Sequence, residues 1–325
     1  MKAYLTGVLL FLIIVDSLIL FLARGRYPLD LPFLSACVCL NIYLCLFLGL
    51  GHPDFQGLLR DSIQRDSRRV VLFLLALLLP YLIYVLGTQS FIWFPFLKLL
   101  SYIVLPAMAY LTLKEHSARI HWQDVFVILA LWLPLDFRWM RDVWLWPPKN
   151  SPAYSFNSLL ATCLGVYLFV VVRHLDRVGY QYQFSLKDWV VGLQNFLLFA
   201  LIGIPIGIST GFITVSKHVA TPWEFVLSAL GIFIFIAIPE ELLFRGILLN
   251  FAEKLLARPA PALVLTALIF GASHLNNGPR PDWRYFLLAS IAGLFYGNAY
   301  LKTRKLIAPA IVHTLVDTVW RSFFR

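Results

Sequence analysis

The sequence predicts an all-α protein, a polytopic bundle of roughly ten transmembrane helices. Three observations carry that expectation. Apolar residues fill 60% of the 325 positions and charged residues only 14%, a balance that water-soluble globular domains do not reach. The apolar residues fall in runs long enough to cross a hydrocarbon core, which takes about 20 residues per helix. The 27 Lys and Arg side chains sit in short clusters between those runs, where positive charge sets membrane orientation. A formal charge of +10 spread in this way points to the lipid bilayer and away from nucleic acid as a partner.

Charge, Pro and Gly delimit helices near residues 3–23, 31–51, 70–87, 91–113, 124–135, 156–172, 189–215, 223–256, 260–275, 284–301 and 306–323. The first run, Ala3 to Ala23, lacks a strongly charged leader and a small-residue cleavage site. It reads as a retained helix and not as a removed signal peptide. Arg60, Arg65, Arg68 and Arg69 mark one loop, Arg173, Arg177 and Lys187 a second, and Lys302, Arg304 and Lys305 a third. A cytoplasmic N-terminus puts all three on the positive, cytoplasmic side.

The stretch from Leu135 to Lys149 mixes Trp139, Trp144 and Trp146 with Asp136, Arg138, Arg141 and Asp142. It is too polar to span and reads as a segment lying along the membrane interface, where indoles are favoured. Gly203, Gly207 and Gly211 share one helix face and predict a packing seam. Asp16 and Asn41, isolated in the first two runs, are expected to be satisfied by a neighbouring helix. Cys37, Cys39, Cys45 and Cys163 lie inside apolar runs and read as packing residues, not as disulfide or metal partners. A boundary near residue 185 separates an N-terminal membrane region, 1–185, without a motif that indicates its role, from a C-terminal region, 186–325.

Chemistry concentrates in that second region. Pro239-Glu240-Glu241-Leu242-Leu243-Phe244-Arg245-Gly246 places two carboxylates and a guanidinium in an apolar segment, where each costs a few kcal/mol, on the order of 3 on insertion scales. Glu241 and Arg245 are four apart on a helix and can pair. Glu240 is rotated by about 100° from Glu241 and needs another partner. The next helix offers His274, in Phe270-Gly271-Ala272-Ser273-His274, and the last offers His313 and Asp317, one turn apart in His313-Thr314-Leu315-Val316-Asp317. A carboxylate beside an imidazole in a cavity of low polarity is suited to hold and deprotonate water. A donor such as His313 can stabilise a developing oxyanion, and Asp317 can orient that imidazole.

The ordered series Glu-Glu-x-x-x-Arg, Phe-x-x-x-His and His-x-x-x-Asp resembles the CAAX-prenyl-protease and bacteriocin-processing family of intramembrane proteases, which includes type II CAAX endopeptidase-like and Abi members. The resemblance runs from about Trp223 to Trp320, roughly a third of the chain. It implies an endopeptidase acting on a protein or peptide at the membrane, with or without a lipid modification. In that reading Glu240 is the general base, His274 its partner in activating water, Glu241 and Arg245 the supporting residues of the same motif, and His313 one arm of an oxyanion site. Asp317 takes a position that is Asn in prenyl-protease members and Asn or Asp in bacterial ones, so a bacterial cytoplasmic membrane is favoured over the endoplasmic reticulum. The aspartate leaves room for a zinc enzyme with Glu240, His274 and His313 as ligands. A mechanism without a cofactor is favoured, because no helix carries two His at i and i+4. A non-catalytic scaffold or immunity protein of the same fold and a transporter using buried charges as a relay are the competing classes.

Overall fold

A computed structural model describes residues 2–113, 119–147, 152–216, 219–278 and 280–324. Among these the chain is helical: α1 Lys2–Ala23, α2 Leu31–Gly49, α3 Pro53–Arg65, α4 Val70–Thr88, α5 Trp93–Leu111, α6 Trp122–Asp136, α7 Ala153–Val172, α8 Leu186–Ser209, α9 Pro222–Leu256, α10 Pro259–Ser273, α11 Trp283–Thr303 and α12 Ile307–Phe323. Extended pairing among the described residues amounts to an isolated bridge between Val215 and Phe324. Among the described residues seven helices are long and apolar enough to cross a membrane. The first bares Leu5, Leu9 and Ile13 along its flank, a surface suited to lipid and not to water. The chain is an integral, multi-pass membrane protein.

The chain forms two compact units, one of residues 1–116 with 123–174 and one of residues 117–122 with 175–325. The first contains α1 to α7. Its polar groups pair as the sequence suggests: Asn41 donates to Asp16 at 2.8 Å, joining α2 to α1. Buried Asp124 receives the Arg173 guanidinium at 2.8 Å and the Tyr110 hydroxyl at 2.9 Å. All four cysteines are free.

Two expectations change in this unit. The Arg60 and Arg65 segment is not a loop but the helix α3, which His52 caps by accepting from the Asp54 amide and which Pro53 opens. Arg60 then donates twice to the Val170 carbonyl, at 2.9 and 3.2 Å. The second change is Trp144, which is core and not interface. It is fully buried against Tyr81, Tyr84 and Phe156, with ring centroids 4.9 to 5.3 Å away. Its Nε1 donates to Asn157 at 2.8 Å, which removes the polar tip's need for the interface. Trp139 stays half exposed, and Lys149 lies outside the described residues.

The second unit contains α8 to α12 and the connector before them. Gly179, in the left-handed region at φ +75°, lets that connector pass the Arg304 carbonyl. Its own carbonyl accepts from the Leu306 amide at 3.0 Å. The connector from Leu175 onward thus belongs to this compact unit. Helices α10 and α11 approach closely because Gly271 and Gly293 lack side chains. A Cβ on Gly271 would lie 2.6 Å from the Phe286 carbonyl oxygen, and one on Gly293 would lie 3.0 Å from Ala267 Cα. The α8 glycines behave differently from the expected seam. Gly211 lies past the helix end with φ +67° and terminates it. Gly203 and Gly207 instead meet side chains, Phe199 and Ile213.

Helix α9 runs the full length from Pro222 to Leu256 but is not uniformly α-helical. Wide π-helical turns at Phe233–Ala237 and Leu242–Leu249 flank Ile238–Glu241. Pro239 supplies no amide hydrogen and its ring crowds the preceding turn. A locally wider helix accommodates that without breaking the span.

Candidate active site

The glutamate pair stands on α9 directly after Pro239, and the two carboxylates diverge. Glu241 is fully buried. Its Oε1 accepts from Arg245 Nη1 at 3.0 Å and faces His313 Nδ1 at 2.8 Å. Arg245 is also buried, donates to the Gly293 carbonyl at 3.2 Å, and lies over the Phe270 and Tyr296 rings at 4.4 and 5.0 Å. A guanidinium held by an ion pair, a carbonyl and two aromatic faces ties α9 to α10 and α11.

Glu240 keeps 30% of its side chain exposed, and its Oε2 lies 3.8 Å from His313 Nε2. Asp317, 24% exposed on the same helix as His313, approaches that nitrogen from its own side at 3.7 Å. These separations exceed hydrogen-bonding distance. His313 is therefore fixed at Nδ1 while two partly open carboxylates flank Nε2. Its ring stacks on Tyr296, with centroids 4.7 Å apart and an interplanar angle of 18°, and meets the edge of Phe270 at 5.9 Å.

His274 caps the end of α10. Its Nδ1 lies 2.8 Å from the Phe270 carbonyl, a contact that only a ring N–H can satisfy, so Nε2 carries the lone pair in the neutral ring. The ring rests between Phe270 and Tyr285, with centroids at 4.6 and 4.8 Å. Among the described residues no hydrogen bond or ion pair joins it to Glu240. His274, His313 and Asp317 instead border one cavity of about 80 Å³, whose other walls include Phe199, Tyr285 and Trp320.

All six residues singled out in the sequence thus belong to this unit, on α9, the end of α10 and α12. The structure brings Glu240, Glu241, Arg245, His313 and Asp317 into one connected cluster and sets His274 at the cavity wall beside it. Three participants carry no readable signal in the sequence. Tyr296 is one aromatic among many in an apolar helix, Tyr285 sits near a helix start, and the α8 wall belongs to a segment whose glycine spacing reads as packing and not as a site. Phe270 is legible as the first member of Phe-x-x-x-His.

Among the described residues no group of three or more His, Cys, Asp or Glu side chains is arranged to hold a metal ion. Glu240, His274 and His313 do not form the compact ligand set that zinc takes, with nitrogen and oxygen donors near ~2 Å.

Residues 222–319 match the family model described as type II CAAX prenyl endopeptidase Rce1-like. This segment is similar to the CAAX-protease family. The matched segment begins at the first residue of α9, takes in α10 and α11, and ends within α12, so it contains every residue of the cluster. Residues 1–221 lie outside the match. No curated protein and no solved structure matches the chain.

Proposed function

We propose that the C-terminal unit is an intramembrane endopeptidase that hydrolyses a peptide bond of a membrane-associated protein or peptide with water activated by Glu240 and His274. The observation that carries this reading is the unequal treatment of the two glutamates. Glu241 is consumed by Arg245 and His313 Nδ1, whereas Glu240 stays partly open and faces the other nitrogen of the same imidazole. A structural ion pair accounts for the first carboxylate and leaves the second for chemistry.

Water held between Glu240 and the cavity wall attacks the scissile carbonyl carbon, and Glu240 takes its proton. The His274 lone pair helps to orient the attacking water. The carbonyl oxygen gathers negative charge opposite His313, whose Nε2 donates to it when that atom carries a proton. Glu241 fixes the imidazole, a role expected of Asp317 from spacing. Collapse of the tetrahedral adduct breaks the C–N bond, and the proton on Glu240 passes to the leaving nitrogen. The products are a carboxylic acid and an amine.

We favour a reaction without a cofactor, because no helix carries two His at i and i+4. The aspartate at position 317 favours a bacterial cytoplasmic membrane. The experiment is cleavage of membrane-peptide libraries by purified, detergent-solubilised protein, read by mass spectrometry. Wild-type protein produces defined new termini, and Glu240→Gln does not. Unchanged cleavage by Glu240→Gln and by His274→Ala would refute the reading.

A further inference from the structure

The cavity beside His313 is bordered by His274, His313 and Asp317 and by the amphipathic rings Tyr285, Tyr296 and Trp320; most of the remaining wall is apolar, and α8 contributes Phe199, Ala200 and Gly203. Phe199 is buried, and its ring lies against the helix at Gly203. A Cβ built on Gly203 would stand 2.6 Å from Cζ and 2.7 Å from Cε2 of that ring. Atoms do not pack at such distances, so any side chain at position 203 must displace the ring. Phe295 already packs edge-on against it, with centroids 6.1 Å apart. The open direction is the cavity that Phe199 lines. Glycine inside a helix costs about 0.5–1 kcal/mol relative to alanine, and room for this ring is what the glycine provides in return.

We propose that Gly203, through Phe199, sets the size of the apolar substrate group admitted beside the scissile bond. This rests on the endopeptidase reading. A group in this cavity touches His313 and Asp317, the side chains that face Glu240, so it flanks the reacting bond directly. Its chemistry is apolar. The source is either an aliphatic or aromatic side chain next to the cut or an isoprenoid carried there on a cysteine thioether. Gly203 touches no reacting atom; it is a specificity-determining position.

The test compares full-length wild type, Gly203→Ala and the double variant Gly203→Ala/Phe199→Ala on two peptide series. One series varies the residue flanking the cut from Ala through Leu to Phe. The other carries S-methyl, short isoprenyl or farnesyl cysteine at that place. Gly203→Ala is expected to lose about tenfold or more in kcat/KM for the large members while the smallest are cut as before, and the double variant regains the large ones. The series in which this size dependence appears identifies the source. Equal loss at every size, no loss at all, or no recovery in the double variant overturns the proposal. A second arm reads occupancy without hydrolysis: Glu240→Gln protein is photo-crosslinked to the same peptides carrying a diazirine on the flanking group. Labels are expected on α8 near Phe199 and on Trp320, and they fall when Gly203→Ala is added. Labels elsewhere overturn the pocket. Labels at α8 from a wild-type protein that cuts nothing support the pocket and refute the protease reading.

Discussion

Nδ1 of His313 and Oε1 of Glu241 stand 2.8 Å apart, linking the last helix to the glutamate helix at a fully buried carboxylate. Because Arg245 holds the same oxygen at 3.0 Å, the carboxylate cannot follow the imidazole if it turns. One ring nitrogen is thereby anchored and the other directed toward Glu240 and Asp317.

Glu240→Gln separates chemistry from folding. Glu240 makes only a 3.8 Å approach to His313, so its amide variant is expected to melt in detergent close to wild type. Cleavage is expected to fall by about 10²–10⁴-fold, the usual contribution of a general base. Kinetics on the same purified samples used for the melts check both halves.

Arg245→Met is expected to act on stability. It strips the guanidinium from buried Glu241 and leaves a charge inside the bundle, a loss of about 3–5 kcal/mol. Adding Glu241→Gln should recover part of it, since the orphaned charge then disappears. Thermal unfolding of single and double variants, read as a mutant cycle, gives the coupling.

Tyr296 is expected to act as a positioning residue through its stack on His313 at 4.7 Å. Tyr296→Phe keeps the ring and should retain near-normal kcat. Tyr296→Leu removes an aromatic contact of about 0.5–1.5 kcal/mol and should lower kcat while leaving KM nearly unchanged. Parallel losses in both variants would instead implicate the hydroxyl.

Glycines in this unit are not equivalent. Gly271→Val is expected to destabilise by about 1–3 kcal/mol or more through overpacking, since even a Cβ there would lie 2.6 Å from the Phe286 carbonyl oxygen. A Cβ on Gly231 of α9 would meet nothing within 4 Å, so Gly231→Ala should stabilise by about 0.5–1 kcal/mol. Melting temperatures in one detergent rank the pair.

Chelation is expected to leave cleavage intact, and zinc added back should not raise it, because Glu240, His274 and His313 do not form a ligand set. Activity that vanishes with chelator and returns with zinc would sink the metal-free mechanism.

Much of the fold was legible because apolar length is a local property. The spans at α1, α2, α4 and α9 fall within a few residues of the runs that predict them. Arg245 with Glu241 was equally readable from helical spacing, and Asp16 and Asn41 were expected to find partners on a neighbouring helix because a lone polar group in lipid is costly; the structure shows that they find each other. Trp144 was not. The same residue type suits an interface or a core, and only Asn157 and the ring cluster around it decide which.

The sequence by itself determined that this is a helical membrane protein and singled out one ordered set of polar residues in its last third, because hydropathy and helical periodicity are written residue by residue. Tertiary structure decided how that set is divided. It joined His313 to Glu241, left Glu240 facing the other ring nitrogen, placed His274 at a cavity wall, and brought Phe199 and Gly203 to that cavity from α8. Those relations depend on the rotation and separation of whole helices, as at the close α10–α11 contacts of Gly271 and Gly293, which no local pattern encodes.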